Sequence, residues 1–186
     1  PEAAYDLGLG YNRRGNNTPT AYEVYAQQWA DLTDRDGAYG VAVMNDCKYG
    51  WDKPDDHTLR LTLLHTPTPG RHYKYQSRQD IGRHVFTYSI VGRIASKAES
   101  LNQPLAAYAA PKHAGGLGRE FSFLSVSTPQ LAVKALKQAE DGSGYVLRLN
   151  EMSGKPLEQG EIRFAAPIEA AYVLNGVEER RTEARF

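Results

Sequence analysis

Tyr22-Glu23-Val24-Tyr25-Ala26-Gln27-Gln28-Trp29-Ala30-Asp31-Leu32, followed after an Asp/Gly turn by Tyr39-Gly40-Val41-Ala42-Val43-Met44, decides the fold class. In an extended chain, successive side chains point to opposite faces. Val24, Ala26, Gln28 and Ala30 then share one face, and Tyr25, Gln27, Trp29 and Asp31 share the other. The stretch reads as one long strand, and residues 34–37 as the turn of a hairpin into the next.

The same grammar runs outward from this hairpin. Residues 59–65 alternate until Leu64 and stop at Pro67-Thr68-Pro69-Gly70; residues 84–90 form a fourth strand. Residues 95–101 carry good helix formers and end before Asn102 and Pro104, as a short helix should. Residues 111–118, rich in glycine, read as an exposed loop. Residues 121–126, 131–138, 145–149 and 161–164 are further strands, with a weaker one at 170–174. Residues 134–138 have helical propensity, yet the turn Glu140-Asp141-Gly142-Ser143-Gly144 and the alternation after it favour a hairpin. Eight or nine short strands and one short helix predict an all-β fold, an antiparallel β-sandwich.

Composition excludes several functions. Among 186 residues, 22 Lys+Arg balance 22 Asp+Glu, which leaves no electrostatic footprint for nucleic acid or an anionic membrane. Hydrophobic residues make up 41% and the mean hydropathy is −0.57, enough for a core. No apolar run approaches the roughly 18–20 residues needed to span a bilayer. Pro1-Glu2-Ala3-Ala4-Tyr5 lacks the basic and apolar regions of a signal peptide. Cys47 is the one cysteine, so an internal disulfide framework and a multi-cysteine zinc site are excluded.

The densest polar cluster is Asn45-Asp46-Cys47-Lys48-Tyr49-Gly50-Trp51. Amides and carboxylates pair with vicinal hydroxyls, and aromatic faces cover pyranose C–H faces, so this stretch has the makings of a sugar site. A hydrogen-bonded strand-terminal turn uses the same residues, and the pattern leaves both readings open. Asp55-Asp56 reads as loop charge, because neighbours on an extended chain diverge and a glycosidase needs two carboxyls held across a bond. His57, His65, His72, His84 and His113 show no close ligand spacing. Cys47 reads as a small half-buried residue without activation. Asn16-Asn17-Thr18 fits the glycosylation triplet, but Pro19 follows it, and it is read as chance in a Gly/Asn-rich opening segment.

A family resemblance then emerges. Tyr22-Glu23-Val24, Ala26, Trp29 and Asp31-Leu32-Thr33 lead into Gly40-Val41-Ala42-Val43-Met44-Asn45-Asp46-Cys47-Lys48-Tyr49-Gly50. Thr58-Leu59-Arg60-Leu61-Thr62-Leu63-Leu64, Gly82-Arg83-His84, Leu101-Asn102-Gln103-Pro104-Leu105 and Val146-Leu147-Arg148-Leu149-Asn150-Glu151 continue the series. In order and spacing these blocks resemble the C-terminal β-region of glycoside hydrolase family 38 α-mannosidases, in the branch of the cytosolic-type animal enzyme and many bacterial ones. The family usually has Tyr where Asn150 stands.

The resemblance implies a galactose-mutarotase-like supersandwich in a retaining, zinc-dependent enzyme acting on terminal α-mannosides of a mannose-containing glycan. It implies an aspartate nucleophile, a carboxylic acid/base and zinc ligands in an upstream barrel, so residues 1–186 are expected to hold no catalytic or metal residue. The upstream barrel is the expected partner, with no nucleic acid and no membrane; the expected compartment is cytoplasmic, with the bacterial periplasm as alternative. Asn45, Asp46, Lys48 and Tyr49 are expected to bind substrate along the barrel-facing edge. The competing class is a non-catalytic carbohydrate-binding or interaction module. Glu178-Glu179-Arg180-Arg181 is expected to be a turn into a missing strand, and an exposed apolar patch is expected near Trp51 or residues 115–118.

Overall fold

The computed structural model describes residues 2–67, 72, 81–92 and 98–184. The chain divides into two compact units, Pro1–Tyr108 and Ala109–Phe186.

The first unit opens with a hairpin of β1 (Ala3–Asp6) and β2 (Tyr11–Arg14). Gly8 and Gly10 adopt φ of 82° and 85° in its turn, a backbone region that L side chains rarely enter. The predicted single strand 22–32 is two strands, β3 (Val24–Tyr25) and β4 (Trp29–Thr33). Between them the backbone leaves one sheet for another. The Ala26 N–H donates to the Tyr49 carbonyl, Gln27 N–H to the Asp6 carbonyl, and Gln28 N–H to Asp6 Oδ2. Periodicity reports which face a residue takes, and here it does so correctly; it carries no information about which sheet supplies the partner.

β5 (Gly40–Asn45) closes the predicted hairpin, with Leu32 opposite Val41 and Thr33 opposite Gly40. A side chain at 40 would collide with Thr33 Oγ1, which accounts for glycine there. β6 (Gly50–Asp52) pairs β3 and β7 (Arg60–Leu61). Only these two residues of the predicted strand 59–65 pair within a named strand, and Leu63 and Leu64 are exposed. The predicted strand 84–90 is shifted to β8 (Tyr88–Gly92), because β5 ends at Asn45 opposite Tyr88 and offers no further partner. Short α1 (Ala98–Asn102) matches the predicted helix, whose residues 95–97 lie outside the described ones.

These strands build an antiparallel sheet in the order β2-β1-β4-β5-β8 and a second in the order β3-β6-β7. One apolar cluster joins them: buried Ala3, Tyr5, Ala26, Ala30 and Trp51, with Val24, Leu32, Val43, Leu59 and Leu61 against it. The opposite face of the larger sheet buries Trp29 and Met44 beneath Ala4, Val91 and Leu101 of α1.

The second unit consists of three two-stranded antiparallel ribbons among its described residues. β9 (Leu124–Val126) pairs β12 (Ile162–Phe164). β10 (Leu131–Gln138) pairs β11 (Tyr145–Glu151) as predicted, with a register shift between Val133 and Ala135. β13 (Tyr172–Leu174) pairs β14 (Arg180–Glu183). The expectation for 178–181 is thus corrected: the turn ends at Glu178, whose φ is 67°, and Arg180–Glu183 is itself the partner strand. All strand pairing among the described residues is antiparallel, and the fold is all-β. Exposed aromatics occur on both predicted sides, Tyr25 and Tyr49 beside the wholly buried Trp51, and Phe121 beyond residues 115–118.

Candidate functional site

The stretch after β5 is a turn organised from inside. Asn45 is 1% exposed, and its Oδ1 accepts the N–H groups of Cys47 (3.0 Å) and Lys48 (2.5 Å). Its own backbone is fixed as well, N–H to the Gln28 carbonyl and C=O from Asn102 Nδ2. Among the described residues, Asn45 Nδ2 is buried without an acceptor. Such a donor costs about 1–3 kcal/mol of desolvation.

Of the other predicted site residues, Asp46 and Tyr49 are exposed and Lys48 is half-buried. The Asp46 N–H donates to the Thr87 carbonyl, and Asp46 Oδ1 accepts the Thr87 N–H at 3.3 Å. Hydrogen bonding from the Cys47 thiol, then from Thr87, holds the Asp46 carboxyl below its ordinary value. The same bond pushes the Cys47 thiol up, away from activation. Cys47 is exposed rather than half-buried, because the Asn45 amide takes the inward place of the turn. Lys48 Nζ lies 4.3 Å from the Phe86 ring centroid, a cation–π contact. Tyr49 stacks on Tyr25 at 6.1 Å and 23°. Beside the turn, Lys48, Thr62, Leu63, Leu64, His65 and His84 line a depression of about 220 Å³. The structure thus carries Asp46, Lys48 and Tyr49 on one turn, with Lys48 half-buried, and assigns Asn45 to shaping it.

A second polar cluster is not legible as a site in the sequence. Lys53 is 1% exposed; its Nζ donates to Asn16 Oδ1 and to the Asp55 carbonyl (2.8 Å) and lies 3.9 Å from Asp56 Oδ1. Asn17 clasps the same segment, with Oδ1 on the Lys53 N–H and Nδ2 on Asp52 Oδ1. Arg60 adds two bonds to Asp52. Burial pushes the Asp52 carboxyl up, but Arg60 and Asn17 outweigh it and the net shift is downward. Asp55 turns back on His57 and Thr58, while Asp56 receives Asn16 Nδ2. The two neighbouring carboxylates therefore serve separate partners in a loop. Asn16-Asn17, read as a chance triplet, is a latch; adjacent side-chain amides ahead of Asp52-Lys53 were the available signal.

Among the described residues, no three His, Cys, Asp or Glu side chains converge as metal ligands. No described helix is long and apolar enough to cross a membrane.

The described strands thus form antiparallel sheets, with a polar turn at the end of β5. Residues 1–70 match the glycosyl hydrolases family 38 C-terminal domain, and residues 130–185 match the glycosyl hydrolases family 38 C-terminal beta sandwich domain. The chain belongs to the C-terminal region of this family. It is 32% identical to alpha-mannosidase 2C1 of Mus musculus, over 97% of this chain and 18% of the relative. It is 31% identical to alpha-mannosidase 2C1 of Homo sapiens, over 95% and 18%, and 28% identical to alpha-mannosidase G of Dictyostelium discoideum, over 95% and 17%. The chain thus spans under a fifth of the length of these relatives.

Proposed function

We propose that these 186 residues are the C-terminal β-region of an α-mannosidase, a glycoside hydrolase that releases terminal α-mannosides from glycans by a retaining mechanism. Retention needs two carboxyl groups about 5–5.5 Å apart flanking the scissile bond. Asp55 and Asp56, tied to separate partners, do not offer that arrangement. The family resemblance supports a catalytic carboxylate pair and a zinc ion held by the rest of the full-length polypeptide, which this region would buttress. The names of the relatives and the resemblance to the cytosolic-type branch support this reading and a cytoplasmic place of action.

The observation that carries the site is the turn held by Asn45. In this reading Asp46, Lys48 and Tyr49 form part of the substrate pocket wall, and Asn45 positions them from beneath. A turn clamped by one buried amide holds its exposed groups in fixed directions, which is what recognition of sugar hydroxyls requires. The test is Asp46→Asn in the full-length enzyme, with the same change in this chain. A carboxylate hydrogen bond to a hydroxyl contributes about 1.5–3 kcal/mol, so kcat/KM on an aryl α-mannoside should fall roughly tenfold or more. The thermal midpoint of this chain should move little, because Asn retains the acceptor for Thr87. Unchanged kinetics with a lowered midpoint would reduce the turn to a structural element. The chain alone should not cleave the mannoside, with or without zinc; zinc-dependent turnover by it would overturn the placement of the chemistry.

A further inference from the structure

A different feature lies on the larger sheet of the first unit. Ala4 of β1 sits between Arg13 of β2 and Asp31 of β4 in register. Alternation puts Tyr11 beside Arg13, and Trp29 and Thr33 either side of Asp31, on that same face. Neighbouring strands are about 4.8 Å apart, so the two flanking backbones stand about 10 Å apart with one methyl group between them. Large side chains on both sides of a small one leave a trough. It encloses about 350 Å³, with Ala4 and Trp29 among its lining and Tyr11, Arg13, Asp31 and Arg35 around it.

The lining has a definite chemistry. The Tyr11 ring, 37% exposed, stands 6.3 Å from the nearly buried Trp29 ring at 50°. The Arg13 guanidinium lies 5.5 Å from the Tyr11 centroid, which restrains its donor fork, and the Thr33 hydroxyl donates to Asp31 Oδ1 and orients that carboxylate. A restrained donor fork, an oriented acceptor and an exposed aromatic ring complement vicinal hydroxyls and a C–H face. Glu2, Asp31, Asp34 and Asp36 outnumber Arg13 and Arg35 around the trough, which disfavours an anionic ligand. We propose that this groove binds a pyranose unit of a neutral carbohydrate, its C–H face against Tyr11 and its vicinal hydroxyls on Asp31 and Arg13.

The choice of a mannoside as probe rests on the function proposed above; the groove chemistry does not. The 186-residue chain would be titrated with methyl α-mannopyranoside, methyl α-glucopyranoside and inorganic phosphate while the indole N–H cross-peaks of Trp29 and Trp51 are followed by NMR. The expected result is a saturable shift of Trp29 with the mannoside, while Trp51, wholly buried in the other sheet, stays still. Asp31→Ala and Arg13→Gln should each weaken that binding roughly tenfold. If Asp31→Ala displaces the Trp51 peak, its fold is altered and Arg13→Gln decides. No saturable shift with either sugar, undiminished binding in Arg13→Gln, or a response to phosphate alone overturns the proposal. Binding of the glucoside but not the mannoside keeps the groove and counts against the mannoside reading. Failure of both sugars leaves the hydrolase reading to the full-length kinetics.

Discussion

The two units of this chain are built from the same kind of strand but are not held together in the same way. Pro1–Tyr108 stacks a five-stranded sheet on a three-stranded one and buries Ala3, Tyr5, Ala26, Trp29, Ala30, Ala42, Met44 and Trp51. In Ala109–Phe186, Val146 is the one buried hydrophobic among the described residues, while Phe121, Phe123, Leu136, Tyr145 and Leu149 are exposed. A lone two-stranded ribbon is marginal in water. The ribbons here add ring contacts of Phe123 with Tyr145 and Phe164, and ion pairs such as Lys137 with Glu178. Glu178 is the more buried member of that pair; fully exposed pairs contribute about 0–1 kcal/mol each. The difference teaches that well-formed strands and a stable core are separate achievements: the first needs local alternation, the second needs another layer.

The largest expected effect would break this comparison directly. Trp51→Ala should cost about 3–5 kcal/mol and unfold the first unit at much lower temperature. Val146→Ala removes less volume from a site with less around it and should cost clearly less. Calorimetry of both variants checks the contrast; equal losses would mean that the second unit has a core of comparable weight.

Lys53→Met comes next. It keeps the aliphatic stem but leaves Asn16 Oδ1 and the Asp55 carbonyl without their donor, which should cost about 1–3 kcal/mol. Denaturant unfolding measures the loss, and hydrogen exchange should report it first at the Asn17 and Lys53 amides. An unchanged midpoint would show that the latch is neutral and that the sandwich core alone holds the first unit.

The smallest effects concern acid. Asp46, Asp52, Asp55 and Asp56 in the first unit, and Asp141, Glu161 and Glu178 in the second, have lowered folded-state values. A lowered carboxyl stabilises the fold above its unfolded value of about 4, and that contribution is lost as pH falls through the folded value. Both units should therefore weaken on acidification below about pH 4 rather than near neutrality. Glu151 is the extreme case: its bond with the Ser153 side chain leads the causes that lower its pKa to about 2. Carboxyl ¹³C titration should find Glu151 protonating near pH 2, and Ser153→Ala should return it toward the ordinary range.

Local reading was most accurate where pairing is local. Residues 131–138 form β10 at the predicted boundaries because a short turn joins them to their partner, β11. The candidate turn at 45–49 was legible for its residue types, yet nothing in the order of residues said that Asn45 points inward while Asp46 points out. The β1–β2 hairpin is not legible, because Ala3-Ala4-Tyr5 is too short a run to stand out from an opening rich in Gly and Asn.

The sequence by itself determined the all-β class, the faces of residues 22–32, the hairpins and the family, since each rests on spacing along a few dozen residues at most. Only the tertiary structure decided that the chain changes sheets between Tyr25 and Trp29, that Trp51 and Lys53 are buried, and that Ala4 opens a trough between Arg13 and Asp31. Those outcomes depend on hydrogen bonds and registers between segments remote in sequence. Side-chain alternation of period two says only which side of a sheet a residue takes, never which strand will lie beside it.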